Sequence, residues 1–290
     1  EGRVGQGAYG VVFLARRAGH PQSEPVALKI ALCPNDPRFV REVKLLTLNV
    51  HPAVPGFIDR GWWTGADGQV YPYVVMQWVD GLPLYDWAEL HEATSRQVLR
   101  VLARVARALE ATHARRCLHR DVKGDNIRVA HNGLGYLMDF GSGTWAEAPL
   151  LTDGPMPPGT RPYRSPEALR FQWGCRRLTE AHYEATAADD VYALGVAMYR
   201  VTTGVHPPPG TDPEARVDKL RPPPPPRLLP QALNRRVIPE LASLIEWMLA
   251  KEPQRRPSAR EVVRSAEATA RRAGPEADVP LCGAVPVRPL

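Results

Sequence analysis

Lysine is scarce in this chain. Of 37 basic residues only five are lysines (Lys29, Lys44, Lys123, Lys219 and Lys251), and the rest are arginines. Where a lysine sits is therefore informative. Cysteine is sparse too: Cys33, Cys117, Cys175 and Cys282 form no C-x-x-C pair. That argues against zinc sites and against the disulfide framework of a small secreted domain, and it fits a reducing, cytoplasmic setting. No uninterrupted apolar run approaches the roughly 18 residues that a membrane-spanning helix needs, and the first residues lack the pattern of a signal peptide. No basic stretch is interleaved with aromatics. The arginines come as scattered pairs such as Arg115-Arg116 and Arg235-Arg236, so the net charge of +6 reads as a solvated surface rather than a nucleic-acid footprint.

What is present is a globular composition, 44% hydrophobic and 23% charged over 290 residues, enough for about two domains or lobes. Strand-like runs at residues 11–14, 26–30 and 73–76 are separated by Gly, Pro and Asn turns. One amphipathic helix interrupts them over residues 37–49, with Phe39, Val43 and Leu46 at helical spacing. After about Leu84 the character turns helical. Thr94 through Gln97 can cap a helix whose Val98, Leu102, Val105 and Leu109 share a face, and further helices are expected at residues 189–203, 239–250 and 258–270, the last opened by a Ser258-x-x-Glu261 capping box. The fold class expected is α+β: a small, antiparallel β-sheet lobe with one helix (residues 1–79) and a larger, mainly α-helical lobe (residues 80–270), with the ligand cleft between them. Residues 271–290, rich in Pro and Ala, are expected to be a tail or linker. The five consecutive prolines from Pro222 to Pro226 read as a stiff surface loop, with a polyproline ligand for an SH3-like partner as the alternative. Glu1 opens the chain inside a glycine-rich motif, as an excised domain would.

That motif is Gly5-Gln6-Gly7-Ala8-Tyr9-Gly10, lying between two strands rather than between a strand and a helix. Alone it is as consistent with a plain hairpin as with a loop whose backbone N–H groups approach phosphate oxygens. Nineteen residues after Gly10 comes the first lysine, in Val26-Ala27-Leu28-Lys29, and the only glutamate between Lys29 and Glu89 is Glu42, on the one helix of the small lobe. If Lys29 has a glutamate partner within this lobe, it is Glu42. Further on stand His119-Arg120-Asp121-Val122-Lys123-Gly124-Asp125-Asn126 and Asp139-Phe140-Gly141. With these, the sequence resembles the eukaryotic-type protein kinases, matching their catalytic-loop and metal-binding motifs, and is most similar to the bacterial Ser/Thr kinases of that superfamily.

The resemblance covers about residues 1–270 and implies a bilobal kinase fold and an ATP-dependent protein serine/threonine kinase that phosphorylates proteins and itself. Its cofactor would be Mg²⁺, with Mn²⁺ as a substitute. It assigns Asp121 to the substrate hydroxyl, Lys123 to the γ-phosphate, Lys29, paired with Glu42, to the α- and β-phosphates, and Asn126 and Asp139 to the metal. It places Gly5, Gln6, Gly7, Ala8, Tyr9 and Gly10 over the phosphates, Val12 and Ala27 above the adenine, Met76 behind it, and the backbone of Gln77 and Val79 along its edge. Arg128 stands where a Leu usually forms the adenine floor, and its stem is expected to cover the ring with the guanidinium running outward. Gly124 replaces a usual Pro and Asp125 a usual Glu. Thr160, in the docking loop at residues 159–167, goes with Ser/Thr specificity, and Ser165 replaces an Ala there. Asp190 would brace the catalytic loop and Arg256 would pair with Glu167. Arg120 is the type that holds a phosphate on the activation loop, with Thr152 the candidate phosphosite against a loop active as made. Residues 170–188 are longer than is usual. Arg200, where arginine-directed relatives carry a glutamate, speaks against a strict preference for basic substrates. The alternative function is a pseudokinase scaffold, motivated by Arg128 and the proline run. A small-molecule phosphotransferase is disfavoured by the docking loop. Trp62, Trp63 and Trp78 are read as packing residues.

Overall fold

Runs of Val, Ile, Phe and Tyr, residue types whose branched or flat side chains suit a pleated surface, form five strands: β1 (Gly2–Gln6), β2 (Gly10–Ala15), β3 (Val26–Ala31), β4 (Phe57–Thr64) and β5 (Val70–Gln77). The computed structural model describes residues 2–7, 9–149, 155–175, 181–209 and 226–282. The five strands make one antiparallel sheet in the order β1-β2-β3-β5-β4. Period-two alternation turns Ala27, Lys29 and Ala31 of β3 to the buried face. β4 carries Asp59, Arg60 and Gly61, which hide its strand character in the sequence, and it forms by pairing along β5. As the edge strand it leaves Trp62 57% and Trp63 50% exposed, so these two are not the packing residues they were expected to be, and Trp63 leans on Tyr71.

Helix α1 (Pro37–Leu48) starts where the Asp36 side chain accepts the Arg38 N–H and Pro37 fills the first turn. It buries Phe39, Val43 and Leu46 as its spacing predicted, and also Arg41, Glu42 and Leu45. After β6 (Gly81–Pro83) come α2 (Leu84–Leu90) and α3 (Ser95–Ala114), the latter opened by a full Thr94/Gln97 capping box. β7 (Cys117–Leu118), β8 (Ile127–Ala130) and β9 (Gly135–Leu137) bracket the catalytic-loop motif; β6, β8 and β9 pair, and β7 pairs with β10 (Thr144–Trp145). Then follow α4 (Pro166–Gly174), α5 (Ala187–Thr203), α6 (Pro239–Met248) and α7 (Ala259–Arg272). α5 is the core of the large lobe, buried from Asp190 through Tyr199, and ends on Gly204 in the left-handed region.

The linker expected over residues 271–290 is a packed segment as far as Cys282. α7 runs to Arg272, a turn follows at Pro275–Asp278, and Ala277 and Leu281 are buried in the core. Arg96 of α3 holds this segment through Asp278 and the carbonyls of Ala270, Ala273 and Gly274, and the Leu281 N–H donates to the Ala93 carbonyl at 2.9 Å. Buried Ala277 and Leu281, together with donors from Arg96, Asn234 and Arg236, order a stretch whose composition suggests a linker.

Candidate active site

In the cleft, Lys29 Nζ lies 2.8 Å from Glu42 Oε2 and 2.9 Å from Asp139 Oδ1, joining β3, α1 and the start of the Asp-Phe-Gly segment. The expected Lys29–Glu42 pair is therefore present, with a third member. Burial pulls the Lys29 ammonium down, but Asp139 and then Glu42 more than reverse that, so it titrates above its ordinary value. Burial raises Glu42 to about 7 against the opposing pull of Lys29, and Asp139, sharing the same ammonium, adds to the rise. Asp139 is kept below its ordinary value because Lys29 outweighs its own burial. Its backbone sits at φ +59, a left-handed conformation that non-glycine residues adopt rarely and that gathers at functional sites.

The second cluster is built on the catalytic loop. The Thr160 hydroxyl donates to Asp121 Oδ1 at 2.8 Å and accepts from Lys123 Nζ at 3.1 Å, while Lys123 Nζ is 2.9 Å from Asp121 Oδ2. Asn126 Nδ2 donates to the Asp121 carbonyl at 2.8 Å and to Oδ2 at 3.2 Å. The loop hangs on Asp190: its carboxylate accepts the backbone N–H of His119 (2.9 Å) and of Arg120 (2.8 Å), and lies 3.0 Å from His113 Nε2. Burial works to raise Asp190, but the hydrogen bond and charge of His113, with His119, bring it below its usual range. His113, in the last turn of α3, is thus part of the brace. His119 ties the loop to the neighbouring segment through the Met138 carbonyl at 2.9 Å and an edge contact with Phe140. Gly124, where a Pro was the usual residue, leaves the room that the Tyr85 ring fills: a Cβ there would stand 2.2 Å from Tyr85, which itself hydrogen-bonds Tyr163.

The residues assigned to a nucleotide line up along the sheet. Gly5 and Gln6 end β1, Gly7 and Tyr9 lie in the turn, Gly10 and Val12 start β2, and Val12 faces Lys29 across the ladder; Ala8 lies outside the described residues. Met76 is buried opposite Ala27. The Gln77 N–H is engaged by the Gly56 carbonyl at 2.8 Å and so is not open to a ligand, and Val79 nearby is buried. The Arg128 guanidinium lies over the Trp78 ring at 5.3 Å, its Nε is buried without a hydrogen-bond partner, and burial lowers its pKa.

Arg120 gives its side-chain donors to the carbonyls of Ser142 (2.7 Å) and Gly143 (3.0 Å), and burial, then the neighbouring Arg41, lower its pKa to about 10. Thr152, the candidate phosphosite, lies outside the described residues, as do residues 222–225 of the proline run. Ser165, in place of Ala, caps α4 and donates to Asp189 at 2.5 Å. Of the long stretch at residues 170–188, residues 170–174 finish α4 and residues 176–180 lie outside the described residues; the Tyr183 hydroxyl donates to the same Asp189 and its N–H reaches the Pro155 carbonyl. Arg256 makes two 2.7 Å bonds to Glu167.

Asp139 uses Oδ1 for Lys29 and the Gly141 N–H, and Asn126 uses Nδ2 for Asp121; Asp139 Oδ2 and Asn126 Oδ1 are the hard oxygens left to meet a cation. Among the described residues no group of three or more His, Cys, Asp or Glu side chains forms a cage. Mg²⁺ needs none, since it is commonly held by one or two carboxylates together with substrate phosphates and water. The donor set fits it. Among the described residues no helix is long and apolar enough to cross a membrane.

Comparison with known proteins agrees with this geometry. A protein kinase domain family matches residues 1–266. The serine/threonine-protein kinase PknB of Mycolicibacterium smegmatis is 30% identical over 95% of this chain and 46% of its own length, and Pkn1 of Myxococcus xanthus is 31% identical over 88% and 35%. PknA of Mycobacterium tuberculosis is 31% identical over 77% of this chain and 49% of its own length. The chain thus spans about half the length, or less, of these relatives. By the family match over nearly its whole length and by its likeness to these bacterial serine/threonine kinases, the chain belongs to the protein kinase family.

Proposed function

We propose that the domain transfers the γ-phosphoryl group of ATP to serine and threonine hydroxyls of proteins, itself included. The observation that carries this reading is the Thr160 hydroxyl, held between the Asp121 carboxylate and the Lys123 ammonium, in the arrangement a substrate hydroxyl needs. In the reaction the substrate oxygen forms a bond to the γ-phosphorus, the bond from that phosphorus to the bridging oxygen of ADP breaks, and Asp121 takes the hydroxyl proton. Lys123 offers positive charge to the phosphoryl group in transit. Lys29, anchored by Glu42 and Asp139, grips the α- and β-phosphates. Gly5 and Gly7 present no side chain to the phosphates, and Val12, Ala27, Met76, Val79 and the Gln77 carbonyl frame the adenine, with Arg128 and Trp78 together in place of an aliphatic floor. Mg²⁺, or Mn²⁺ in its stead, held by Asp139 and Asn126, supplies neutralisation of the triphosphate charge.

Arg200, near the end of α5, stacks on Tyr85 and bonds His206, which sits edge-on to Tyr163. This cation beside the docking loop supports substrates that are not strongly basic. A cytoplasmic setting is consistent with four free cysteines, of which Cys117 is buried and its thiol pushed up by burial. No observation favours the pseudokinase scaffold. The test is incorporation of labelled phosphate from ATP into the protein and into a generic protein substrate. Incorporation that disappears in Asp121→Asn and Lys29→Met supports the reading, and incorporation that survives both changes overturns it.

A further inference from the structure

Helix α1 delivers Glu42 to Lys29, and something must hold the helix there. The residue before Glu42 is Arg41, a guanidinium only 3% exposed. A buried charge is tolerated when its donors are met. Arg41 meets them on the far side of the cleft, donating to the Gly143 carbonyl at 2.8 Å and to the Pro149 carbonyl, both in the segment that follows Asp139. Trp145 of the same segment lies against α1, with the Arg41 guanidinium 5.2 Å and the Lys44 ammonium 4.0 Å from its ring. At Gly143 the two elements come close: a Cβ there would stand 2.4 Å from Leu45 Cδ1 of α1 and 2.8 Å from the Leu118 carbonyl. Arg120 closes the arrangement from below, placing a second guanidinium on the Gly143 carbonyl. Arg41 adds to the burial that lowers Arg120's proton affinity, and both guanidiniums are satisfied by backbone carbonyls.

We propose that Arg41 and Trp145 are positioning residues, a clamp between α1 and the segment after Asp139 that keeps Glu42 on Lys29 without any phosphate group on that segment. Neither touches a reacting atom. They act through the main chain and an indole ring, interactions that are complete as soon as the chain has folded. Gly143 permits the clamp by allowing Leu45 to come near. This inference rests on the kinase reading for its catalytic consequence but not for its structural one.

The experiment uses the 290-residue chain, treated with a phosphatase and shown by mass to carry no phosphate, as wild type, Arg41→Ala, Arg41→Lys and Trp145→Ala. Readouts are kcat, KM for ATP, and amide hydrogen exchange over residues 37–48. The expected result is a phosphate-free wild type that keeps its activity and a protected α1. Arg41→Ala should lose about tenfold to a hundredfold in kcat, the scale of one charge-assisted hydrogen bond, with a smaller change in KM and faster exchange in α1. Arg41→Lys, which can still donate to one carbonyl, should recover part of the loss. Trp145→Ala, which removes a half-buried ring, keeps the test open if Arg41→Ala does not fold; it should show the same split at smaller size. Unchanged kcat and unchanged α1 exchange in the folded variants, or loss of wild-type activity on removal of phosphate, overturns the clamp. If the wild type transfers no phosphate, the kinase reading fails, and the exchange of α1 in the variants alone decides the clamp.

Discussion

Asp121 and Lys29 are both set in place by hydrogen-bonded charges, but in different ways. Asp121 belongs to a loop whose backbone N–H groups end on Asp190, a carboxylate buried in the core helix of the large lobe. Lys29 belongs to a sheet, and its two partners arrive from a separate helix and from a segment 110 residues away. The first arrangement is fixed by one lobe. The second exists only while three elements stay in register. A rigid Asp121 site is thus paired with a Lys29 site that depends on where α1 sits.

The largest expected effect tests the fixed half. Asp121→Asn keeps the shape and removes the proton acceptor, so the rate of phosphoryl transfer should drop by about 10² to 10⁴ while thermal stability barely moves. Asp190→Ala attacks the brace itself, leaving two backbone donors and His113 without their acceptor; urea denaturation should show a loss of about 2–5 kcal/mol, with activity falling as the loop loosens. On the adjustable half, Lys29→Met should abolish nucleotide-dependent stabilisation, which for a bound site at a hundredfold excess over Kd amounts to about 2.7 kcal/mol, read as a thermal shift with Mg²⁺ and ATP. The smallest effect concerns pH. Glu42 titrates at about 7 when folded, against an ordinary value of 4.5. A carboxyl whose folded pKa is raised contributes most to stability below its unfolded pKa and loses that contribution as pH rises through the folded one. Glu42→Gln cannot ionise, so its melting temperature should gain on that of the wild type between about pH 4.5 and 7, and a gap that stays constant with pH would count against the burial of an ionising Glu42.

Much of the site was legible because phosphoryl transfer restricts residue type. Lys29, Asp121, Lys123, Asn126 and Asp139 stand in ordered motifs, and the structure brings the same residues into one cleft. α1 and α3 were legible through periodicity and through caps, which are local signals. Contacts that depend on distant approach were not. Arg41 is one arginine among many, and only the nearness of Gly143 and Trp145 gives it meaning. His113 gains its part from Asp190, 77 residues later. β4 is a strand because β5 lies beside it, and Trp62 and Trp63 are exposed because, among the described residues, no further strand lies beside β4. The ordered stretch around Ala277 and Leu281 misled for the reverse reason: its composition is that of a linker, and its order comes from a socket elsewhere in the chain.

That socket gives the large lobe an attachment point. The end of the packed chain is tied across the start of α3 by the Thr94–Pro280 bridge and by the grip of Arg96, with Asn234 holding the Leu281 carbonyl from the other side at 3.1 Å. These bonds gather at the start of α3, the end of that helix opposite His113, so one helix carries both the tie of the packed segment and, through His113 and Asp190, the brace of the catalytic loop.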